Sequence, residues 1–164
     1  MRKTLLLLAA AALPSLAQAG DLGINIYGLS YHFDRDRARE LHDDNGFNYG
    51  LGARYRLPGE SIDWLPGESI DWFFDAGAYH DGGRNTAVLA GAGGLWHASE
   101  RLRLGAALTF FHSKTYNGGR PFIPPVPLAA YEFRSATLNA FYAPKVRDVN
   151  SINTLGFWLT VWLR

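Results

Sequence analysis

The sequence predicts an all-β fold, an eight-stranded antiparallel up-and-down transmembrane β-barrel, on three observations. Along most of the chain apolar residues alternate with polar or small ones, which is the period of a strand and not of a helix. Turn signals divide these stretches into eight segments, each near the roughly 9–11 residues that a tilted strand needs to cross a bilayer. Long and short connections alternate, as do the external loops and periplasmic turns of outer-membrane barrels.

The predicted strands follow one another along the chain. They lie near residues 22–33, 46–57, 71–80, 86–97, 101–112, 127–134, 135–143 and 153–164. Alternation is clearest in the second strand, with Phe47, Tyr49 and Leu51, and in the last, with Phe157 and Leu159. The long connections are residues 34–45, 113–126 and 144–152.

The first strand changes phase within its length. Its apolar positions are even at Ile24 and Ile26 and odd from Leu29 onward. Such a change predicts a β-bulge near Tyr27 and Gly28, the alternative being a different register for this strand.

Residues 1–19 have the features of a cleaved secretory signal peptide, with two basic residues, an apolar run and a closing Ala17-Gln18-Ala19. The barrel is then expected in residues 20–164, where 14 basic residues face 15 acidic ones. This balance gives no support to a polyanion-binding role. The lack of cysteine excludes a disulfide scaffold or a thiolate metal site, and no metal or cofactor is predicted.

A soluble secreted β-protein is the alternative class. It accounts less well for the even number of strands and for aromatic residues at strand ends, such as Phe110, Tyr142 and Trp162, which could form interfacial girdles. The expected location is therefore the bacterial outer membrane, reached through the periplasm, with membrane lipids as partners of a monomer and no nucleic-acid binding.

Arg54 and Arg56 fix the facing of the second strand, because an arginine on the lipid face near mid-bilayer costs roughly 2–4 kcal/mol. With both inward and the N terminus on the periplasmic side, the lumen divides into a polar and an apolar half. The predicted polar, periplasmic residues are Asn25, Arg54, Arg56, Asp75, Arg101, Arg103 and Glu132. The predicted external residues are Gly50, Gly77, Tyr79, Ala87, Leu89, Gly91, Gly93, Phe111, Ala130, Phe141 and Gly156.

A fatty acyl chain suits such an apolar half, because each methylene taken from water contributes ~0.8 kcal/mol. The predicted acyl-chain slot consists of Gly77, Leu89, Gly91, Gly93 and Phe111. The alternative is a lumen filled by its own side chains, with glycines relieving crowding.

Four prolines predict a weak seam between the sixth and seventh strands near the external rim. They are Pro124, Pro125, Pro127 and Pro144. Proline has no N–H to donate to a strand ladder, so a lipid tail could enter sideways through this lateral gate. The alternative explanation is that these prolines only mark the loops at the ends of the strands.

The order of these features resembles the lipid A palmitoyltransferases (PagP-like) of the bacterial outer membrane, and the resemblance covers most of the expected mature chain. It rests on SYHFDR at 30–35, NGFNYGLGARY at 45–55, HDGGRNTAVLAGAGGLW at 80–96, the stretch from Leu104 to Phe133, and TLNAFYAP at 137–144. The resemblance implies an eight-stranded barrel that moves a palmitoyl chain from a phospholipid to lipid A.

Particular roles follow from that resemblance. His32 would match the family's essential histidine, Asp81 its aspartate, and Gly93 the glycine that sets acyl-chain length. A histidine can take a proton from an attacking hydroxyl near neutral pH, and a carboxylate can orient and stabilise it.

This chain departs from the family at two points. Gly82 replaces the serine that follows the aspartate, which leaves Ser113, Thr115 and Ser30 as candidate hydroxyls. The family's amphipathic helix before the first strand also has no counterpart, because only Gly20 and Asp21 separate the predicted signal from that strand.

Rim position alone makes Arg84, Asn85, Tyr116 and Asn117 candidate headgroup contacts. A lipid A acyltransferase is therefore one hypothesis. The other is a non-catalytic barrel that is structural or binds a lipid or ligand, which the glycine at position 82 favours.

Two further segments carry expectations of their own. The acidic stretch His42-Asp43-Asp44 is interpreted as a solvated loop or as one that meets divalent cations bridging lipopolysaccharide. Residues 57–72 repeat the sequence LPGESIDW and are predicted to form a duplicated periplasmic turn without a functional role, with Trp64 and Trp72 at the membrane interface.

Overall fold

The computed structural model describes residues 20–57 and 70–163, which form a closed barrel of eight antiparallel strands in sequence order. The strands are β1 (Asp21–His32), β2 (Phe47–Arg56), β3 (Ile70–His80), β4 (Thr86–His97), β5 (Leu102–His112), β6 (Pro125–Glu132), β7 (Ala136–Ala143) and β8 (Thr154–Leu163). The predicted fold class is confirmed. Every strand boundary lies within one or two residues of its predicted place.

The barrel closes because β1 pairs with both β2 and β8. The predicted bulge is confirmed, since the register on both sides of β1 shifts between Tyr27 and Leu29. The extra residue keeps the apolar side chains on one face: Ile24, Ile26 and Leu29 are all exposed on the outside of the barrel.

The two ends of the barrel differ. We call the loop end the one that carries the connections 33–46, 81–85, 113–124 and 144–153, and the turn end the one that carries 98–101 and 133–135. The loop end also holds a helix that the sequence did not predict, α1 (Arg35–Glu40). The side chain of Asp34 caps it by accepting a hydrogen bond of 3.0 Å from the backbone N–H of Arg37.

The outer surface is apolar and much of the interior is polar, the reverse of a water-soluble barrel. Among the large apolar side chains, the most exposed are Leu51, Ile123, Leu108, Phe47 and Leu29, at 59–65%. Asn25, Arg54, Asn139 and Thr160, by contrast, are at most 2% exposed. Within the described ranges, no helix has both the length and the apolar character needed to span a membrane.

A buried polar plug fills the middle of the lumen. Arg54 donates to both oxygens of Asp75, at 2.8 and 2.6 Å, and to the side-chain oxygen of Asn139 at 2.8 Å. Asn25 also donates to Asp75, at 3.2 Å, and accepts from Thr160 at 2.7 Å. Each polar group therefore has partners that offset the cost of burial.

A second charge network lies below the plug, at the turn end. Arg103 bonds Glu132 at 2.8 Å, and Arg56 bonds both Glu132 at 3.0 Å and Asp21. The predicted pairing of opposite charges across a narrow bore is thus observed. Arg101 lies outside it, exposed in the turn.

Only the two ends of the duplicated segment lie within the described residues. The last three residues of the second copy, Ile70 to Trp72, begin β3, and the N–H of Leu57 donates to the carbonyl of Trp72 at 2.9 Å. Residues 58–69, with the predicted interfacial Trp64, lie outside the described residues.

Candidate functional site

Above the plug, the loop-end half of the lumen contains an apolar cavity of about 120 Å³. Of the five predicted slot residues, Leu89, Gly91 and Phe111 line it. Asp75 and Trp158 also line it, so the cavity reaches down to the polar plug.

The other two predicted slot residues are covered by aromatic side chains. A Cβ on Gly93 would lie 2.5 Å from Cζ of Phe73, which belongs to the buried cluster beneath the cavity. A Cβ on Gly77 would lie 2.5 Å from the hydroxyl of Tyr27. Both glycines make room for a ring rather than for a ligand.

The cavity continues sideways towards β6 and β7. A second apolar cavity, of about 250 Å³, shares Phe111, Val126 and Phe141 with the first among its lining residues. The β6–β7 ladder runs from Glu132 and Thr137 only as far as Leu128 and Phe141. Above that point the strand ends border the second cavity.

Three of the four predicted gate prolines line this lateral cavity: Pro124, Pro125 and Pro144. Pro127 is not among its lining residues, but is exposed on the outside in register with Ala106 of β5. The missing N–H groups of the prolines are consistent with the early end of the ladder.

His32, at the last position of β1, is 6% exposed and lines a polar pocket of about 270 Å³ on the other side of the rim. Arg35 and Arg39 of α1 and Asp44 lie on the same pocket. Ser30 lines both this pocket and the apolar cavity. The histidine therefore stands close to an apolar and a polar compartment at once.

Asp81 ties two loops together. One carboxylate oxygen accepts from the hydroxyl of Ser113, and the other accepts from the backbone N–H of Asn85 at 2.9 Å. Ser113 is fully buried, and its oxygen also accepts from the N–H of Thr115 at 3.1 Å. Ser113 is thus held as a structural link and lines neither of the two apolar cavities nor the pocket beside His32.

Position 82 accommodates a glycine because the side chain of Asp43 occupies the space that a Cβ would fill. A Cβ on residue 82 would overlap Oδ1 of Asp43 and would lie 3.1 Å from Nε2 of His32. A serine side chain therefore has no room here while the loop from residue 33 to 46 keeps this conformation.

Asp43 is the functional candidate that sequence reasoning missed. The interpretation of this stretch as a solvated loop is wrong for Asp43, which is 5% exposed, although both neighbours in the sequence are exposed. Burial, followed by the negative charge of Asp81, raises its pKa to about 7. Nothing in the sequence separates it from the acidic residue next to it.

The four predicted headgroup contacts are not gathered in one place. Tyr116 lines both apolar cavities, and burial raises the pKa of its hydroxyl. Asn85 bonds Thr115 at 3.0 Å, whereas Arg84 is exposed with Nη2 3.8 Å from Asp44. Asn117 opens a 3-10 turn and caps its end by donating to the carbonyl of Arg120.

In the part of the chain that the structure describes, no group of three or more His, Cys, Asp or Glu side chains is arranged to hold a metal ion. The fold and this geometry define a closed eight-stranded barrel with an apolar cavity and a histidine at its rim. No protein-family model and no curated protein matches the chain.

Proposed function

We propose that this protein is an outer-membrane barrel that holds a lipid acyl chain in its loop-end cavity and transfers it, as palmitate from a phospholipid, to lipid A. The observation that carries the proposal is the apolar cavity, which continues into a lateral cavity where the β6–β7 ladder ends.

The outer surface supports a membrane location. Side chains such as Leu51, Leu108 and Phe47 are 60–65% exposed on outward faces of the barrel. An apolar belt of this kind is costly in water and favourable against lipid.

The interior supports an acyl chain as ligand. Leu89, Phe111, Val126 and Phe141 offer only hydrocarbon surface to an occupant. A chain that enters from the bilayer between β6 and β7 never has to cross water, so the opening suits a donor already in the membrane.

Direct transfer fits the residues at the rim. His32 takes the proton of the acceptor hydroxyl while its oxygen attacks the ester carbonyl of the donor. The ester bond to the lysophospholipid then breaks, a new ester to the acceptor forms, and the departing oxygen takes the proton from the imidazole. This route needs no enzyme nucleophile, which agrees with the buried state of Ser113 and with Gly82.

The polar pocket beside His32 suits the acceptor. Arg35 and Arg39 carry positive charge there, and lipid A is a phosphate-bearing acceptor that guanidinium groups can bind.

A non-catalytic lipid-binding barrel is the second candidate. The observation that favours it is that both oxygens of Asp81 are engaged with Ser113 and Asn85, so the carboxylate that the family resemblance pairs with His32 is occupied.

An assay with the purified protein in detergent distinguishes the two candidate functions. The protein is mixed with lipid A and a phospholipid that carries an isotope-labelled palmitoyl chain, and both the label bound to the protein and the label transferred to lipid A are measured. We expect transfer, and we expect His32→Ala to abolish it while label still binds. The control is His80→Ala, which removes a rim histidine stacked on Tyr49 and should keep full activity. Binding without transfer in the unmodified protein would favour the non-catalytic barrel, and neither binding nor transfer would reject both.

A further inference from the structure

We propose that Asp43 is the carboxyl that positions His32, reaching it from the first loop across the space left by Gly82. The inference rests on the proposed acyl transfer, in which His32 becomes positively charged.

The glycine marks the meeting point of the two side chains. A single position, that of a Cβ on residue 82, would overlap Oδ1 of Asp43 and lie 3.1 Å from Nε2 of His32. The carboxyl of Asp43 and the imidazole therefore face the same small volume above the backbone of Gly82, which itself lines the apolar cavity.

The first loop is built to hold Asp43 there. Helix α1 buries Ala38, whose carbonyl accepts from the N–H of Asp43 at 2.9 Å, and the intervening His42 adopts a left-handed conformation with φ 57°. On the other side, the N–H of Asn45 donates to the carbonyl of Gly82 at 3.1 Å. The two loops are thus bonded together around the carboxyl.

One oxygen of this carboxyl is unsatisfied. Oδ1 of Asp43 is buried and has no hydrogen-bond partner, which is costly for an acceptor that has lost its water. A protonated imidazole would supply the missing donor and a compensating charge. No hydrogen bond or ion pair joins the two side chains in the structure, so we expect the pair to form when His32 takes the proton of the acceptor hydroxyl.

Other groups facing Asp43 define the pH dependence. They are Asp81 from the β3–β4 loop, Tyr116 from the β5–β6 loop and the neighbouring Asp44. Burial and Asp81 hold its pKa at about 7, so the ionised form that pairs with a charged imidazole is lost as pH falls through that value. Transfer should therefore decline below neutral pH with a contribution from Asp43.

The test compares Asp43→Asn with the control Glu40→Gln, which removes an exposed carboxylate from α1 in the same loop, 65% exposed and outside the pocket beside His32. We expect Asp43→Asn to lower kcat by about tenfold or more, the equivalent of one pKa unit in the stability of the imidazolium, with KM unchanged. The acid side of its pH profile should also become shallower. Glu40→Gln should retain the kcat and profile of the unmodified protein. An Asp43→Asn protein with unchanged kcat and profile would overturn the inference.

A second readout does not depend on transfer. The ring C–H signals of His32, assigned by their loss in His32→Ala, are followed by NMR as the pH changes. In Asp43→Asn they should titrate at lower pH than in the unmodified protein. A shift without transfer would leave the pairing standing and reject the proposed function, whereas an unchanged titration would reject the pairing even if transfer occurs.

Restoring a side chain at position 82 gives a further check on the geometry. Gly82→Ser should destabilise the first loop and lower transfer, because its Cβ overlaps the Asp43 carboxyl. The same change in an Asp43→Ala background should cost less stability, measured by urea unfolding. Equal costs in the two backgrounds would contradict contact between the two positions.

Discussion

Phe73 lies over Gly93: the two are paired in register across β3 and β4, and a Cβ on residue 93 would lie 2.5 Å from the end of the phenyl ring. Phe73 is 2% exposed and packs with Leu95, Ala107 and Ala130. Since Ala107 also lines the cavity, this cluster forms part of its floor. The phenyl ring, rather than the glycine, thus limits the depth of the cavity.

Shortening this side chain should therefore deepen the cavity. We expect Phe73→Ala to shift the preference towards longer acyl chains, with about 1–3 kcal/mol of discrimination for each methylene. The loss of a buried phenyl ring should also cost about 3–5 kcal/mol of stability. Competition between donors of different chain length measures the preference, and the control is Phe74→Ala, which removes a ring that is 51% exposed on the outer face. An unchanged preference in Phe73→Ala would contradict this position of the floor.

The plug beneath the cavity should be intolerant of single substitutions. Arg54→Met removes the partner of Asp75, whose charge would remain buried, and should lower the free energy of unfolding by about 3–5 kcal/mol. Adding Asp75→Leu should recover much of that loss, because both charges are then gone. Urea unfolding in detergent micelles measures both variants. Breaking the exposed pair of Arg39 with Asp36, 66% and 92% exposed, should change stability by less than about 1 kcal/mol. If breaking the exposed pair lowered the free energy of unfolding by a similar amount, burial would not explain the effect of Arg54→Met.

Closing the lateral cavity should block the donor. The chain has no cysteine, so Val126→Cys with Ala143→Cys introduces a single pair across the open ends of β6 and β7. The oxidised form should lose acyl transfer and regain it on reduction, measured with labelled phospholipid. A pair at Ala129 and Ala140, which already face each other in the ladder, should leave transfer unchanged in both redox states. Full transfer by the oxidised gate variant would mean that the donor enters elsewhere.

The duplicated turn should be dispensable. Deleting residues 65–72 leaves the first copy of Ile-Asp-Trp to begin β3, so the aspartate that bonds His97 at 2.9 Å is supplied again by an identical sequence. Halving such a connection changes its closure cost by only ~0.6 kcal/mol. Electrophoretic mobility of the folded barrel, with and without heating, and the transfer assay should match the unmodified protein. Loss of either property would assign a role to the second copy.

The strand order and facing were predictable because a barrel strand repeats every two residues and cannot easily place arginine against lipid. Arg54 and Arg56 together predict the facing of β2, and the phase change in β1 predicts the place of its bulge. The sequence predicts the start of β6 two residues late, at residue 127, because proline is unfavourable inside a strand, whereas β5 pairs with both Pro125 and Pro127.

The floor of the cavity was harder to predict because it depends on neighbouring strands together. When β3 and β4 are aligned in register, Phe73 lies beside Gly93 and its ring covers the glycine. This cross-strand pair of an aromatic residue and a glycine is the sequence feature that could have predicted the floor. Asp43 had no such signal. Asp43 is buried because the short helix α1 folds back on the loop. A helix of six residues is too short to show a periodic pattern of apolar residues in the sequence.

Mass spectrometry of lipid A from bacterial cells with and without this protein tests the proposed activity most directly. Cells that express the protein should contain lipid A with one additional palmitoyl chain, and cells that express His32→Ala at the same level should lack it. An unchanged lipid A profile, with the folded protein present in the outer membrane under several growth conditions, would contradict acyl transfer to lipid A.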